Sequence, residues 1–177
     1  MSDQALRLYN TFLALLALVS LAGAAALVTY RLAKGREAAG RLLGNGALWL
    51  AWAVAAVCTT GSLVYSEVVG FVPCLLCWVQ RGFMYPLSLI LLGGAIWKKP
   101  AVKYVALPMS LLGLATSVYH YVIQIFPHLE GISCNPTNPC SARYVEVFGF
   151  VSIPFMAGAG FTLISVLLLF YVKAKKE

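Results

Sequence analysis

Four cysteines carry the chemistry this sequence can do. Cys74 and Cys77 form a Cys-x-x-Cys pair inside Pro73-Cys74-Leu75-Leu76-Cys77-Trp78-Val79-Gln80-Arg81, at the start of a long apolar segment. Three residues apart on a helix, two side chains share a face and come within reach of a disulfide. Proline favours the first helical position, so Pro73 predicts both sulfurs in the first turn, where the helix dipole favours a thiolate. Arg81 follows Cys77 by four residues and falls on the same face as a second source of positive potential. The other pair lies in Cys134-Asn135-Pro136-Thr137-Asn138-Pro139-Cys140, whose prolines and asparagines favour a tight, turning loop. A disulfide closing so small a ring is expected to be strained, and strained, exposed disulfides are the more oxidising ones. Thiol–disulfide exchange is the chemistry that two such pairs offer. The alternatives are a structural disulfide or buried thiols at the first pair, a loop staple at the second, or one Zn²⁺ site built from all four sulfurs. Cys58 falls in the middle of an apolar segment and reads as a small core residue.

Those residues need a scaffold, and composition says of what kind. Of the 177 residues 61% are hydrophobic and 11% charged, with a mean hydropathy of +0.85. Soluble domains average about 25% charged residues. The fold class expected is an all-α integral membrane protein. Five segments hold the roughly 20 apolar residues a spanning helix needs: Tyr9 to Tyr30, Gly46 to Ser66, the cysteine motif to Trp97, Ala101 to Phe126, and Ile153 to Tyr171. The expected organisation is a four-helix redox bundle of transmembrane helices over residues 45–177, carrying both cysteine loops, plus one additional N-terminal transmembrane helix with its basic connector over residues 1–44. Pro86 and Pro108 fall inside helices, where a bundle tolerates them as kinks. Gly93, Gly94, Gly113, Ala115, Gly158 and Gly160 are expected to allow close helix approach. Ser141 could cap a short helix carrying Tyr144, Val145, Val147, Phe148 and Phe150 along the membrane surface.

The net charge of +7 does not point to nucleic acid, because the basic residues lie in short runs between apolar segments. Arg31, Lys34, Arg36, Arg41, Lys98, Lys99, Lys103, Lys173, Lys175 and Lys176 fall on one side if every segment spans; the other side keeps Arg7, Arg81 and Arg143. The Lys/Arg-rich side is the cytoplasmic one. The N-terminus and both cysteine loops are therefore expected outside, in the oxidising compartment, with the C-terminus inside. The first segment has a rival reading as a cleaved signal peptide, with Leu21 to Ala26 as the small-residue stretch. Cleavage would strand the Arg31 to Arg41 cluster outside, so a retained helix is expected.

The region from about Leu48 to Tyr171 resembles the DsbB family of membrane thiol oxidases, above all its short Gram-positive-type (BdbC) members. The resemblance rests on Pro73 to Arg81, on Cys134 and Cys140, on Tyr119-His120 with Gln124-Ile125-Phe126-Pro127, and on Phe148-Gly149 with Ile153-Pro154. It implies a four-helix bundle holding a quinone, ubiquinone or menaquinone, at its outer edge in a bacterial cytoplasmic membrane. Cys77 would be the thiolate beside the quinone, with Cys74 as its disulfide partner. Arg81 would support both, and His120 and Gln124 would line the same quinone site. Cys134 would take the mixed disulfide with a DsbA-like thioredoxin-fold dithiol protein, and Cys140 would exchange with Cys74. A lipid-soluble acceptor also suits the rest of the chain, which has no G-x-G-x-x-G fingerprint and no C-x-x-C-H haem motif. The N-terminal segment has no counterpart in the resemblance. A vitamin-K-epoxide-reductase-like enzyme would share the bundle and quinone logic, but in that family the loop cysteines precede the Cys-x-x-Cys helix, the reverse of the order here.

Overall fold

The computed structural model describes residues 2–35, 38, 43–44, 46–131, 134 and 137–171. Five of its helices are long and apolar enough to cross a membrane: α1 (Asp3–Lys34), α2 (Gly46–Leu63), α3 (Leu75–Ile96), α4 (Val102–Ile125) and α5 (Ile153–Phe170). The chain is an all-α, multi-pass membrane protein.

Local chemistry sets the helix ends. Ser2 caps α1 by accepting the Ala5 N–H, Asp3 sits in the first turn, Arg31 and Lys34 in the last, and Gly35 (φ 84°) stops it. These caps lie outside the apolar stretch, which is why α1 outruns the expected Tyr9 to Tyr30 at both ends. Leu21 to Ala26 lie within this continuous helix. A π-helical turn over Val64–Val68 extends α2, and Gly70 (φ 85°) turns the chain towards the cysteine motif. Arg36, Arg41, Lys173, Lys175 and Lys176, which weigh in the charge pattern, lie outside the described residues.

The core runs down the centre of α2, α3, α4 and α5, with Leu48, Ala51, Leu87, Leu91, Phe161 and Ile164 among its buried members. Gly113 of α4 receives the Phe161 ring of α5, and Gly160 of α5 receives the Cys58 sulfur of α2. A side chain at either glycine would collide, so the small-residue expectation holds there. It fails at two positions. Gly93 faces Trp97 of its own helix, and Ala115 is exposed. Ser110 and Ser165 join α4 to α5 through a buried 2.9 Å hydrogen bond. Along α5 lies α1, which buries Ala14, Ala17 and Ala24.

The expected surface helix after Ser141 does not form. The Ser141 hydroxyl donates to Glu130 Oε2 at 2.7 Å and caps no helix. Phe148 (φ 55°) and Gly149 (φ 77°) then turn the chain back on itself, closing a Val147–Val151 bridge.

Candidate redox site

Cys74 is the N-cap of α3, and its sulfur accepts the Cys77 N–H at 3.4 Å, the place a Ser or Asp oxygen usually takes. The helix thus begins two residues later than Pro73 suggested: Pro73 stays outside, Cys74 caps, and Cys77 alone stands in the first turn. The two sulfurs are 2.8 Å apart as free thiols. From α4, His120 Nε2 comes within 3.6 Å of Cys74 Sγ and 3.0 Å of the Cys140 carbonyl oxygen. Its Nδ1 lies 3.1 Å from the Gln80 amide nitrogen. An amide N–H donating to Nδ1 leaves the ring proton on Nε2, where it can serve both neighbours. The Cys74 thiol is held well below its ordinary pKa, first by the hydrogen bond from Cys77 and then by His120, against the opposing effect of burial.

Cys134 and Cys140 are joined in a disulfide, with Cα atoms 5.9 Å apart. Cys140 is buried in one cluster with Cys74 and Ile123, against which Cys77 and Cys134 pack, so both pairs meet at one end of the bundle. The loop is tied down by non-local contacts. Glu130 accepts the N–H groups of Cys140 and Ser141 as well as the Ser141 hydroxyl. These bonds, that of the hydroxyl foremost, hold its carboxyl below the usual range. The Asn138 amide donates to the carbonyls of Val72 (3.4 Å) and Pro73 (3.2 Å), and the Tyr144 hydroxyl donates to Asn138 Oδ1 at 2.8 Å. Phe71 and Tyr144 stack with ring centroids 5.1 Å apart. Gln124 donates to the Ala142 carbonyl at 3.2 Å, while its Oε1 is buried without a partner among the described residues.

Arg81 turns the other way, to α2. Its Nε donates to Ser62 Oγ and its Nη2 to the Ser62 carbonyl, both at 2.9 Å, and its guanidinium lies over the Trp78 ring. It borders a cavity of about 280 Å³ whose other walls are largely apolar. A separate recess of about 10 Å³ is lined by Cys74, Cys77, His120 and Gln124. The residues picked out in the sequence therefore divide: Arg81 lines the large cavity, His120 and Gln124 the small recess, and Cys77 both. The four sulfurs do not gather around one point. Among the described residues Cys74 and Cys77 group with His120, whereas Cys134 and Cys140 group with Glu130.

Sequence reasoning gave no role at the site to Gln80, Ser62, Glu130, Asn138 or Tyr144. Gln80 stands inside the cysteine motif and could have been found there. Ser62, Glu130 and Asn138 reach partners 10 to 66 residues away, and Tyr144 stacks on the distant Phe71, which leaves no local signal.

The family model described as disulfide bond formation protein DsbB matches residues 45–171. A probable disulfide formation protein of Oceanobacillus iheyensis is 49% identical over 68% of this chain and 84% of its own length. Disulfide bond formation protein C of Bacillus subtilis is 41% identical over 73% of this chain and 95% of its own. Probable disulfide formation protein C 1 of Bacillus anthracis is 42% identical over 73% and 94%. No solved structure gives a significant match. From the extent of the family match and the coverage of these relatives, the chain belongs to the DsbB family of disulfide bond formation proteins.

Proposed function

We propose that this protein is a thiol:quinone oxidoreductase that reoxidises a DsbA-like thioredoxin-fold dithiol partner, with both cysteine loops and the N-terminus outside the cytoplasmic membrane and the C-terminus inside. Residues 45–177 form the redox bundle, and residues 1–44 add α1 and its connector. The observation that carries this reading is the position of Cys77. It stands between the recess that it shares with Cys74 and His120 and a large apolar cavity bordered by Arg81.

The partner's thiolate attacks Cys134, forming a mixed disulfide and releasing Cys140 as a thiol. The partner's second thiol resolves that bond, leaving the partner oxidised and Cys134 and Cys140 reduced. Attack by Cys140 on an oxidised Cys74–Cys77 pair and resolution by Cys134 closes the loop disulfide again. Two electrons and two protons have then reached Cys74 and Cys77. Cys140 and Cys74 share one buried cluster, which suits that exchange. His120 and Gln124, which the resemblance places at the quinone, stand beside the cysteines here, and we assign His120 to donating towards Cys74 and the Cys140 carbonyl.

The cavity suits a quinone. It is close to the about 300 Å³ lower bound of small-molecule sites, its walls are mostly apolar, and it offers one cation, Arg81, and the thiol of Cys77, with the Cys58 thiol of α2 also on its wall. Arg81 would hold the polar edge of the ring and the apolar walls the rest. A bound quinone supplies an acceptor for two electrons and two protons.

Coupled turnover in detergent tests the proposal. Purified protein is mixed with a reduced thioredoxin-fold dithiol and a soluble quinone, and thiol loss and quinone reduction are followed together. Both signals should move in step, and both should vanish in Cys77→Ser. Independent signals, or an active Cys77→Ser, would refute the scheme. One tightly held zinc per chain with no disulfide would put a metal site in its place.

A further inference from the structure

We propose that α1 is part of the quinone site, forming the wall that covers the prenyl tail. The inference rests on the quinone reading above and extends it to an element outside the family match, which begins at residue 45. The Bacillus subtilis relative has 95% of its length within its 131-residue match, so about seven of its residues remain, against 32 in α1. A helix of this length is thus an addition of this chain relative to that protein.

The arrangement of α1 is that of a wall. Leu13, Leu16, Ala17 and Ser20 line the large cavity. They are spaced i, i+3, i+4, i+7, which is one face of a helix. The opposite face, Leu8, Phe12, Leu15 and Val19, is exposed. The main packing partner of α1 is α5. It meets α2 near the cysteine end, where the Tyr9 hydroxyl donates to the Gly61 carbonyl at 3.3 Å and the Tyr65 hydroxyl donates to Asn10 Oδ1 at 2.9 Å. The cavity is bounded by α1, α2, α3 and α5, and Val54 and Val57 of α2 line it together with the α1 stripe.

Position along the helix separates ring from tail. Leu13 lies against Gly61, the neighbour of the Ser62 that holds Arg81. Ser20 is seven residues further, about 10 Å along the axis at 1.5 Å per residue. Its hydroxyl donates to the Leu16 carbonyl at 2.8 Å, so it offers the cavity no free donor. Away from Cys77 and Arg81 the stripe is therefore a hydrocarbon surface, which fits an isoprenoid chain and not a polar ligand.

A prenyl quinone carrying a photoactivatable diazirine on its tail tests this on the full-length protein. After illumination, trypsin releases the α1 stripe as the single peptide Leu8–Arg31, and label on that peptide is expected. Equilibrium binding of the same probe is measured in Leu16→Trp, which fills the cavity, and in Phe12→Trp, which places an indole on the exposed face. Displacing about two methylene groups of tail burial predicts about a tenfold loss of affinity in Leu16→Trp, with Phe12→Trp unchanged. If the wild type binds and carries label only on other peptides, or if both variants bind alike, α1 is not the wall, although the quinone reading stands. If the wild type binds no prenyl quinone, both readings fall together.

Discussion

Replacing Gln80 with leucine asks whether His120 is held in one tautomer for Cys74. The Gln80 amide and His120 Nδ1 are 3.1 Å apart, and the two side chains are only 6% and 2% exposed. Leucine keeps the volume but leaves Nδ1 without a donor, and a buried unsatisfied group costs about 1–3 kcal/mol. The ring can recover part of that by shifting its proton to Nδ1 or by rotating. Either change removes a donor from the Cys74 sulfur, whose depressed pKa must then rise. The hydrogen bond from Cys77 contributes more than His120 to the depressed value, so Cys77→Ala should shift the titration further than Gln80→Leu. The assay is ultraviolet thiolate absorbance against pH, in a Cys134→Ser, Cys140→Ser background. The sign of the linkage is fixed. A depressed pKa stabilises the folded dithiol form above the ordinary thiol pKa, and that contribution is lost as pH falls through the depressed value. In Gln80→Leu the contribution should be smaller and its loss complete at a higher pH. An unshifted titration, or a shift larger than that of Cys77→Ala, would refute the tautomer argument.

Three further outcomes are expected. Glu130→Gln should loosen the disulfide loop at neutral pH, read as faster reduction of Cys134–Cys140 by a small dithiol. Because the carboxyl pKa is lowered by its hydrogen bonds, the wild type should hold the advantage above the ordinary carboxylate range and lose it as pH falls through the depressed value. Gly160→Ala would set a methyl 2.6 Å from Cys58 Sγ, an overpacking cost of about 1–3 kcal/mol; thermal unfolding in detergent should show it, and Cys58→Ala should offset most of it. Ser62→Ala removes one of the two acceptors that hold Arg81. It should slow quinone reduction by on the order of tenfold while leaving exchange between the loop disulfide and a dithiol unchanged, which a quinone-free single-turnover measurement separates.

Hydropathy made the middle of every spanning helix legible, because about 20 apolar residues in a row have few other uses. It was silent on the ends, which depend on caps such as Ser2 and Gly35. The surface helix predicted after Ser141 fails for a reason of the same kind. A serine before apolar residues looks like an N-cap, but Glu130, eleven residues earlier, takes its hydroxyl. The cysteines, Arg81, His120 and Gln124 were legible as residue types at meaningful spacings. Which of them face one another was not, because that depends on how α2, α3 and α4 surround the motif.

One piece of that division was nevertheless implicit in the spacing. Successive residues on an α-helix point about 100° apart, so neighbours such as Gln80 and Arg81 must serve different flanks of α3. Gln80 reaches His120 of α4, and Arg81 reaches Ser62 of α2. Cys77 precedes them by three and four residues, the two spacings that share a helix face from opposite sides. A single sulfur therefore faces both the histidine side and the arginine side. Reading Arg81, His120 and Gln124 as one ligand shell overlooked this angle. Two flanks meeting at one sulfur is the arrangement an electron relay needs: on one side the groups that hold the cysteines, on the other an apolar cavity with a cation at its edge.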